Sequence, residues 1–221
     1  TVFQNRRWDA DFLTLQGLLL EGTLGEVRSF ESRFEWWRPD GFGNWRDSAA
    51  VSEGGGILND LGAHLIDQAI QLFGPVAESY GETANHGPSP DGADTEAFVS
   101  LLHESGVRSR LWMNGMAAQV GPRFHVLGSE AGYTKWGLDS QEPALAAGMT
   151  PSDPAYGVDP EESWGRLGVD GATEPVVARP GAYPVFYTRL AAALRGEGPL
   201  PVDPEESLEV LKVIEKIRAL A

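Results

Sequence analysis

Between residues 8 and 22 the apolar positions recur at helical spacing. Trp8, Phe12, Leu15 and Leu19 share one face, and Gly22 and Gly25 end the helix. Over 27–37 the period falls to two: Phe30, Phe34 and Trp36 point one way, and Glu31, Arg33 and Glu35 the other, which predicts a half-buried strand. A loop rich in Gly, Pro and Trp leads to Gly54-Gly55-Gly56, and a helix is expected over 57–73, stopped by Gly74-Pro75. Strands are expected near 77–83, 96–102, 107–117, 124–127 and 132–136, on short turns that imply antiparallel pairing.

The stretch 149–171 is rich in Pro, Gly and acidic residues and lacks periodicity, as expected of a functional, subunit-contacting or mobile loop. Helices follow over about 183–195 and from Asp203 onward. Asp203 is the expected cap, Pro204 the first helical residue, Glu206 the return member of a capping box, and Leu208, Leu211, Ile214 and Ile217 the apolar stripe. Helix, strand, helix, a run of strands and a helical tail predict a single α+β domain over 1–221. Its large, mostly antiparallel open sheet carries helices on one face. Trp112, Met113 and Met116 look too apolar for water, so a second subunit is expected to cover the other face.

Charge changes this picture in one respect. A formal net charge of −15 argues against nucleic acid and anionic membranes as partners and leaves small neutral or cationic ligands open. The chain has no cysteine, which removes disulfides, thiol catalysis and thiolate metal sites. No apolar run approaches a membrane span and no signal sequence opens the chain, so the cytoplasm is the default expectation.

Chemistry concentrates on the helix over 57–73. At 100° per residue, Leu58, Leu61, Leu65, Ala69 and Leu72 fill an apolar face, while Asp60, His64, Asp67 and Gln71 fall within an arc of about 60° opposite. A solvated stripe is the ordinary explanation. Against it, this face carries short Asp and His side chains in place of Lys, Glu and Arg. The preceding glycines allow close backbone approach to a ligand or simply a tight turn. Asp at i and His at i+4 are helical neighbours, and such a pair yields a base that titrates near neutrality. No recognisable metal-ligand set accompanies them, and no metal is expected.

At this helix the segment Gly54-Gly55-Gly56-Ile57-Leu58-Asn59-Asp60-Leu61-Gly62-Ala63-His64-Leu65-Ile66-Asp67 resembles the G-G-G-x-x-x-D-x-G-x-H-x-x-D pattern of the Gfo/Idh/MocA family of NAD(P)-dependent oxidoreductases. The resemblance runs along the chain. It includes Phe3-Gln4-Asn5-Arg6-Arg7-Trp8-Asp9, Glu21-Gly22-Thr23-Leu24-Gly25-Glu26-Val27, Pro122-Arg123-Phe124 and Gly128-Ser129-Glu130-Ala131-Gly132-Tyr133. Lys135-Trp136-Gly137-Leu138-Asp139-Ser140-Gln141-Glu142 is similar to the subgroup that includes NADP-dependent scyllo-inositol dehydrogenases.

The resemblance implies the substrate and oligomerisation domain of such an enzyme, without its N-terminal Rossmann domain. No G-x-G-x-x-G follows an expected strand, and the family's Glu-Lys-Pro motif is absent. NAD or NADP would belong to the intact protein, with none expected on this chain, which by itself is expected to be inactive. The resemblance assigns proton transfer to His64, orientation of His64 to Asp60 and substrate hydroxyls to Asp67, with a sugar or polyol as substrate. The open sheet face would form homodimers or tetramers.

Around this centre, Arg38, Trp45 and Arg46 are expected to wall the pocket. Arg123 is a further candidate for substrate, with Lys135, though structural ion pairing comes first for both. Arg6 and Arg7 are expected to meet cofactor or substrate at the domain junction, or to form surface ion pairs. Trp37 is expected in the core or an interface, His103 and His125 as structural histidines, and Asp153, Asp159, Glu161 and Glu162 in a solvated loop. Two other readings stay open: a non-catalytic sugar-binding or oligomerisation module, and a metal-dependent hydrolase or isomerase using Asp60 and His64.

Overall fold

The computed structural model describes residues 1–45, 48–87, 89 and 92–219. A 3-10 turn at Asn5–Trp8 leads into α1 (Ala10–Leu20) and β1 (Ser29–Glu35). A turn of π-helix at Leu58–Gly62 runs directly into α2 (Ala63–Phe73), followed by β2 (Val76–Ala84), β3 (Glu96–His103), β4 (Arg108–Asn114), β5 (Phe124–Leu127) and β6 (Gly132–Lys135). The chain then forms α3 (Gln141–Ala146), β7 (Arg166–Val169), β8 (Ala172–Pro175), α4 (Pro184–Leu194) and α5 (Pro204–Arg218).

The strands form one mixed sheet in the order β2-β3-β4-β1-β5-β6-β7-β8. Consecutive strands pair antiparallel, but β1 is inserted between β4 and β5 and runs parallel to β4, with Phe30 opposite Ser109 and Phe34 opposite Met113. The α+β class and the largely antiparallel sheet thus agree with the sequence pattern. The hairpin β7–β8 departs from it, because its four-residue strands have half-open, weakly alternating faces and fall at the end of the stretch read as an aperiodic loop. The helix α3 is too short to show a period.

Alternation along β1 is as the sequence predicts: Phe30, Ser32 and Phe34 are buried against α1 and α2 while Glu31, Arg33 and Glu35 face away. The pleat also separates Trp112 from Met113. Met113 is fully buried on the helix side, so it is no part of the open face. On that open face the Arg33 guanidinium lies 4.0 Å from the Trp112 ring centroid, and Phe98 stands 5.2 Å from the same ring. Arg33 also pairs with Glu31 at 2.8 Å. Trp37 is 55% exposed and so is not a core residue of this chain, while Asp159 is only 4% exposed, contrary to its expected place in a solvated loop; Asp159 lies 3.7 Å from the buried ammonium of Lys135.

On α5 two apolar stripes overlap in the sequence. The buried one is Val210, Val213, Ile214 and Ile217, spaced i, i+3, i+4, i+7, while Leu208 and Leu211 face outward. Asp203 caps the helix through Glu205 N at 3.0 Å, but Glu206 does not close a capping box, because Arg7 draws its carboxylate away at 2.6 Å.

A buried polar hub joins the layers. Arg123 donates to Asp11 Oδ2 on α1 (3.0 Å), Ser32 Oγ on β1 (2.5 Å) and Gln68 Oε1 on α2 (2.7 Å), with its guanidinium about 4 Å from the centroids of Phe34 and Phe124. This geometry makes it a structural ion pair, with 2% exposure and no surface to offer a substrate. A second polar cluster lies at the same N-terminal end of α1. Asp139 Oδ2 accepts from Ala10 N at 2.7 Å and so caps the helix, a task that the adjacent Asp9 leaves to it. Gln141 and Tyr183 tie this cluster to the small core of Trp8, Phe186 and Val202.

Two predictions follow from these clusters. Arg123→Met leaves the Asp11 carboxylate buried without its partner and is expected to cost about 3–5 kcal/mol in urea unfolding; adding Asp11→Leu should recover most of it. An unshifted midpoint in the single variant would remove the hub from its central position. Burial pushes the Asp139 carboxyl up to about 6, against the Ala10 and Gln141 donors that favour its charge. The folded state therefore binds this proton more tightly than the unfolded chain, and the Asp139 contribution to stability falls as pH rises from about 4 to about 6. Burial of His103 acts with the opposite sign, holding its pKa down and removing stability as pH drops below the ordinary histidine range. Melting temperature against pH should accordingly lose the Asp139 part of its slope in Asp139→Asn; identical slopes would refute the assignment.

Candidate functional site

The helix that bears the chemistry begins with a structure the sequence does not announce. Leu58–Gly62 forms a π-turn, wider than α-helix, so the rotation from Asp60 to His64 departs from the regular 100° per residue. Its first backbone donors are capped by a residue from the β2–β3 loop. Asp94 Oδ2 accepts from Leu58 N and Asp94 O from Ile57 N, each at 2.9 Å. Arg218 at the end of α5 holds the other oxygen of Asp94 at 2.6 Å.

The three glycines have distinct local reasons. Gly54 turns at φ +85° with open space where a Cβ would stand. A Cβ on Gly55 would overlap the carbonyl of Ala49. Gly56, at φ +99°, lies where a Cβ would overlap Asp94 Oδ1. Part of the glycine signal is therefore a packing requirement of the helix cap.

Asp60 lines a cleft whose walls include Arg38 and Trp45, as the sequence predicts, together with Phe42, Ile57 and Met116. Arg46 lies outside the described residues. The far wall was missed: Asn85, Asp94 and Thr95 reach the cleft from the β2–β3 loop. That loop reads in sequence only as a polar turn, and no periodicity ties it to a helix some thirty residues earlier.

His64 is half-buried on the first turn of α2, with Nδ1 2.8 Å from Gln4 Oε1. Asp67 is 2% exposed, and both its oxygens are held by Arg7, Oδ1 at 2.6 Å and Oδ2 at 2.8 Å. Burial raises its pKa in spite of that pair. Arg7 completes a bridge to Glu206 on α5, and Arg6 reaches Glu142 at 2.9 Å, Tyr183 Oη at 3.2 Å and Asp9 at 3.5 Å. Both arginines pair within the domain, with Asp9 and Asp67 as buried partners and Glu142 and Glu206 as exposed ones. His103 and His125 bond within the sheet region, His103 to Gly74 O and Ser109 Oγ, and His125 to Thr134 Oγ1. Among the described residues no group of three or more His, Asp or Glu side chains is placed to hold a metal ion.

The cap gives a direct test. Gly56→Ala forces an L-residue into the left-handed region and a methyl onto Asp94, so a loss of more than about 1 kcal/mol in chemical denaturation is expected, beyond the ordinary glycine-to-alanine gain. A stabilised variant would show that Asp94 moves freely and does not set the helix start.

Comparison with known proteins places this site in a family. The description "GFO/IDH/MocA C-terminal domain" matches residues 12–134. The scyllo-inositol 2-dehydrogenase (NADP(+)) IolW of Bacillus subtilis is 35% identical over 97% of this chain and 60% of its own length. The uncharacterized oxidoreductase YdgJ of Escherichia coli is 39% identical over 97% of the chain and 62% of its own length. The solved structure of the oxidoreductase yvaA of Bacillus subtilis superimposes with a TM-score of 0.90 at 30% identity, over 99% of this chain and 63% of that one. The chain thus spans about 60% of the length of the curated relatives it matches. Sequence and fold agree along nearly all of its length, and the chain belongs to the GFO/IDH/MocA family of oxidoreductases, whose C-terminal domain it carries.

Proposed function

We propose that this chain is the substrate-binding domain of a dehydrogenase that oxidises a sugar or polyol alcohol, of inositol type, with NAD or NADP held by a part of the protein outside these residues. The observation that carries this reading is that Asp60, four residues before His64 on the same helical segment, lines an aromatic and polar cleft. His64 accepts the proton of the substrate hydroxyl, and Asp60 accepts a hydrogen bond from a neighbouring hydroxyl. Arg38 and Trp45, which line the cleft, are a cationic side chain and a flat ring suited to a polyol. Asp67 acts at one remove, by fixing Arg7 and with it the entering segment.

The nicotinamide, when present, supplies the hydride acceptor. Its site belongs to a part of the protein outside these residues, and without it the chain is expected to be inactive. The half-covered face around Arg33, Trp112 and Phe98 fits a homodimer or tetramer contact. The cytoplasm fits a cysteine-free acidic enzyme, and no described helix is long and apolar enough to cross a membrane.

The test uses the protein with its upstream region, assayed for NAD(P) reduction with myo-inositol, scyllo-inositol and common aldoses. His64→Ala should lower turnover at least about 100-fold, the usual scale of general acid–base catalysis. Full activity in that variant would refute the assigned base. An upstream region with no nucleotide fold would favour a sugar-binding or oligomerisation module.

A further inference from the structure

Arg38 lines the cleft that Asp60 also lines, and its guanidinium is left without a carboxylate. Elsewhere the rule is pairing. Arg6, Arg7, Arg123 and Arg218 are each closed by carboxylates, and even the exposed Arg179 and Arg195 find one. Among the described residues the Arg38 guanidinium has neither an ion pair nor a hydrogen bond, and so is tied to neither Asp60 nor Asp94. Arg28 and Arg108 also lack a carboxylate, but neither lines this cleft.

The main chain holds this residue in place before any ligand arrives. Trp37 bridges to Met116, Arg38 N donates to Gly115 O at 2.8 Å, and Arg38 O accepts from Gly41 N at 2.9 Å. Pro39 fixes the next φ and disfavours a helical conformation at Arg38. The same segment carries Phe42, whose ring lies edge-on to Trp36 at 6.2 Å and where a Cβ on Gly115 would come within 3.1 Å of it. An anchored backbone thus presents an exposed cation next to an aromatic wall.

We propose that the cleft takes a sugar acid, with Arg38 holding its carboxylate and Asp60 meeting its hydroxyls. This rests on the reading of the cleft as a sugar site and narrows the substrate class. In a chain of net charge −15, an unpaired guanidinium draws an anion to a molecule that otherwise repels one. Its planar fork matches a carboxylate in two parallel hydrogen bonds. A phosphate monoester suits it less, because it carries about −1.5 to −2 charge. Arg38 is the one cationic side chain among the described residues that line the cleft, and Asp60 adds a carboxylate to the same wall. Asp94 adds little repulsion, since Arg218 holds it at 2.6 Å. One cation therefore answers a ligand with a single negative charge.

The experiment is an NMR titration of the 221-residue chain with D-glucuronate and with D-glucose, following the indole N–H of Trp45 in the cleft wall. The two probes differ only in a carboxylate for a hydroxymethyl group. Glucuronate should bind about tenfold more tightly or better, the scale of a charge-assisted hydrogen bond. Arg38→Met should bring the two dissociation constants together, and the remainder of its spectrum shows whether the variant is folded. Equal binding of the two sugars, no binding of either, or a preference that survives in folded Arg38→Met overturns the proposal. In the longer protein, a raised KM for NAD(P) in Arg38→Met with the sugar preference intact assigns the cation to a cofactor phosphate and overturns it as well. A longer protein that oxidises no sugar, while the chain still prefers glucuronate through Arg38, sinks the dehydrogenase reading and leaves the acidic ligand standing, so the two failures are distinguishable.

Discussion

Arg123 places a guanidinium between two helices and a sheet, where only a complete set of acceptors makes its burial tolerable. Asp11, Ser32 and Gln68 supply them from α1, β1 and α2, and Phe34 and Phe124 stack on its faces. None of these elements can slide against another without leaving a charge unpaired in a dry interior. The position of α2 relative to the sheet is thereby fixed, and so is everything that α2 carries.

A second set of polar contacts uses this fixed helix as its reference. Arg7 binds Asp67, Gln68 binds the backbone of Arg6, and Gln4 meets His64, so the entering segment lies along one side of α2. Asp94, braced by Arg218, performs the corresponding task at the start of the π-turn. The proposed base and its partner carboxylate thus stand between two anchors, one at the chain's beginning and one in the β2–β3 loop.

The open side of the sheet follows a different logic. Arg33 lies over the Trp112 ring and Phe98 packs against it at a tilt, so these side chains partly shield one another from water. The helix side, with Phe30, Phe34, Met113 and Leu111 fully or almost fully buried, has no such alternative. The division of the pleat into these two faces is the simplest consequence of strand periodicity.

That periodicity is local, and local order is what the sequence by itself determined. The alternation in β1, the strands from β2 to β6, the glycine stops at Gly74 and Gly196, the Asp203 cap and the Asp60–His64 helix can all be read from neighbours a few residues apart. The family pattern around Gly54–Asp67 was legible for the same reason, since its residues are contiguous. Tertiary structure alone decided which of two overlapping stripes on α5 is buried, because both Leu208/Leu211 and Val210/Val213 satisfy helical spacing and only the neighbouring sheet and helix choose. It also decided that Arg6, Arg7, Asp67 and Arg123 spend their charges on one another's surroundings, that Asp94 caps a helix 36 residues earlier, and that Gln4 meets His64 across 60 residues. A charged or amide side chain has no periodicity to reveal its partner; its choice is made by distance in the folded chain, where an unpaired buried group is too costly to leave.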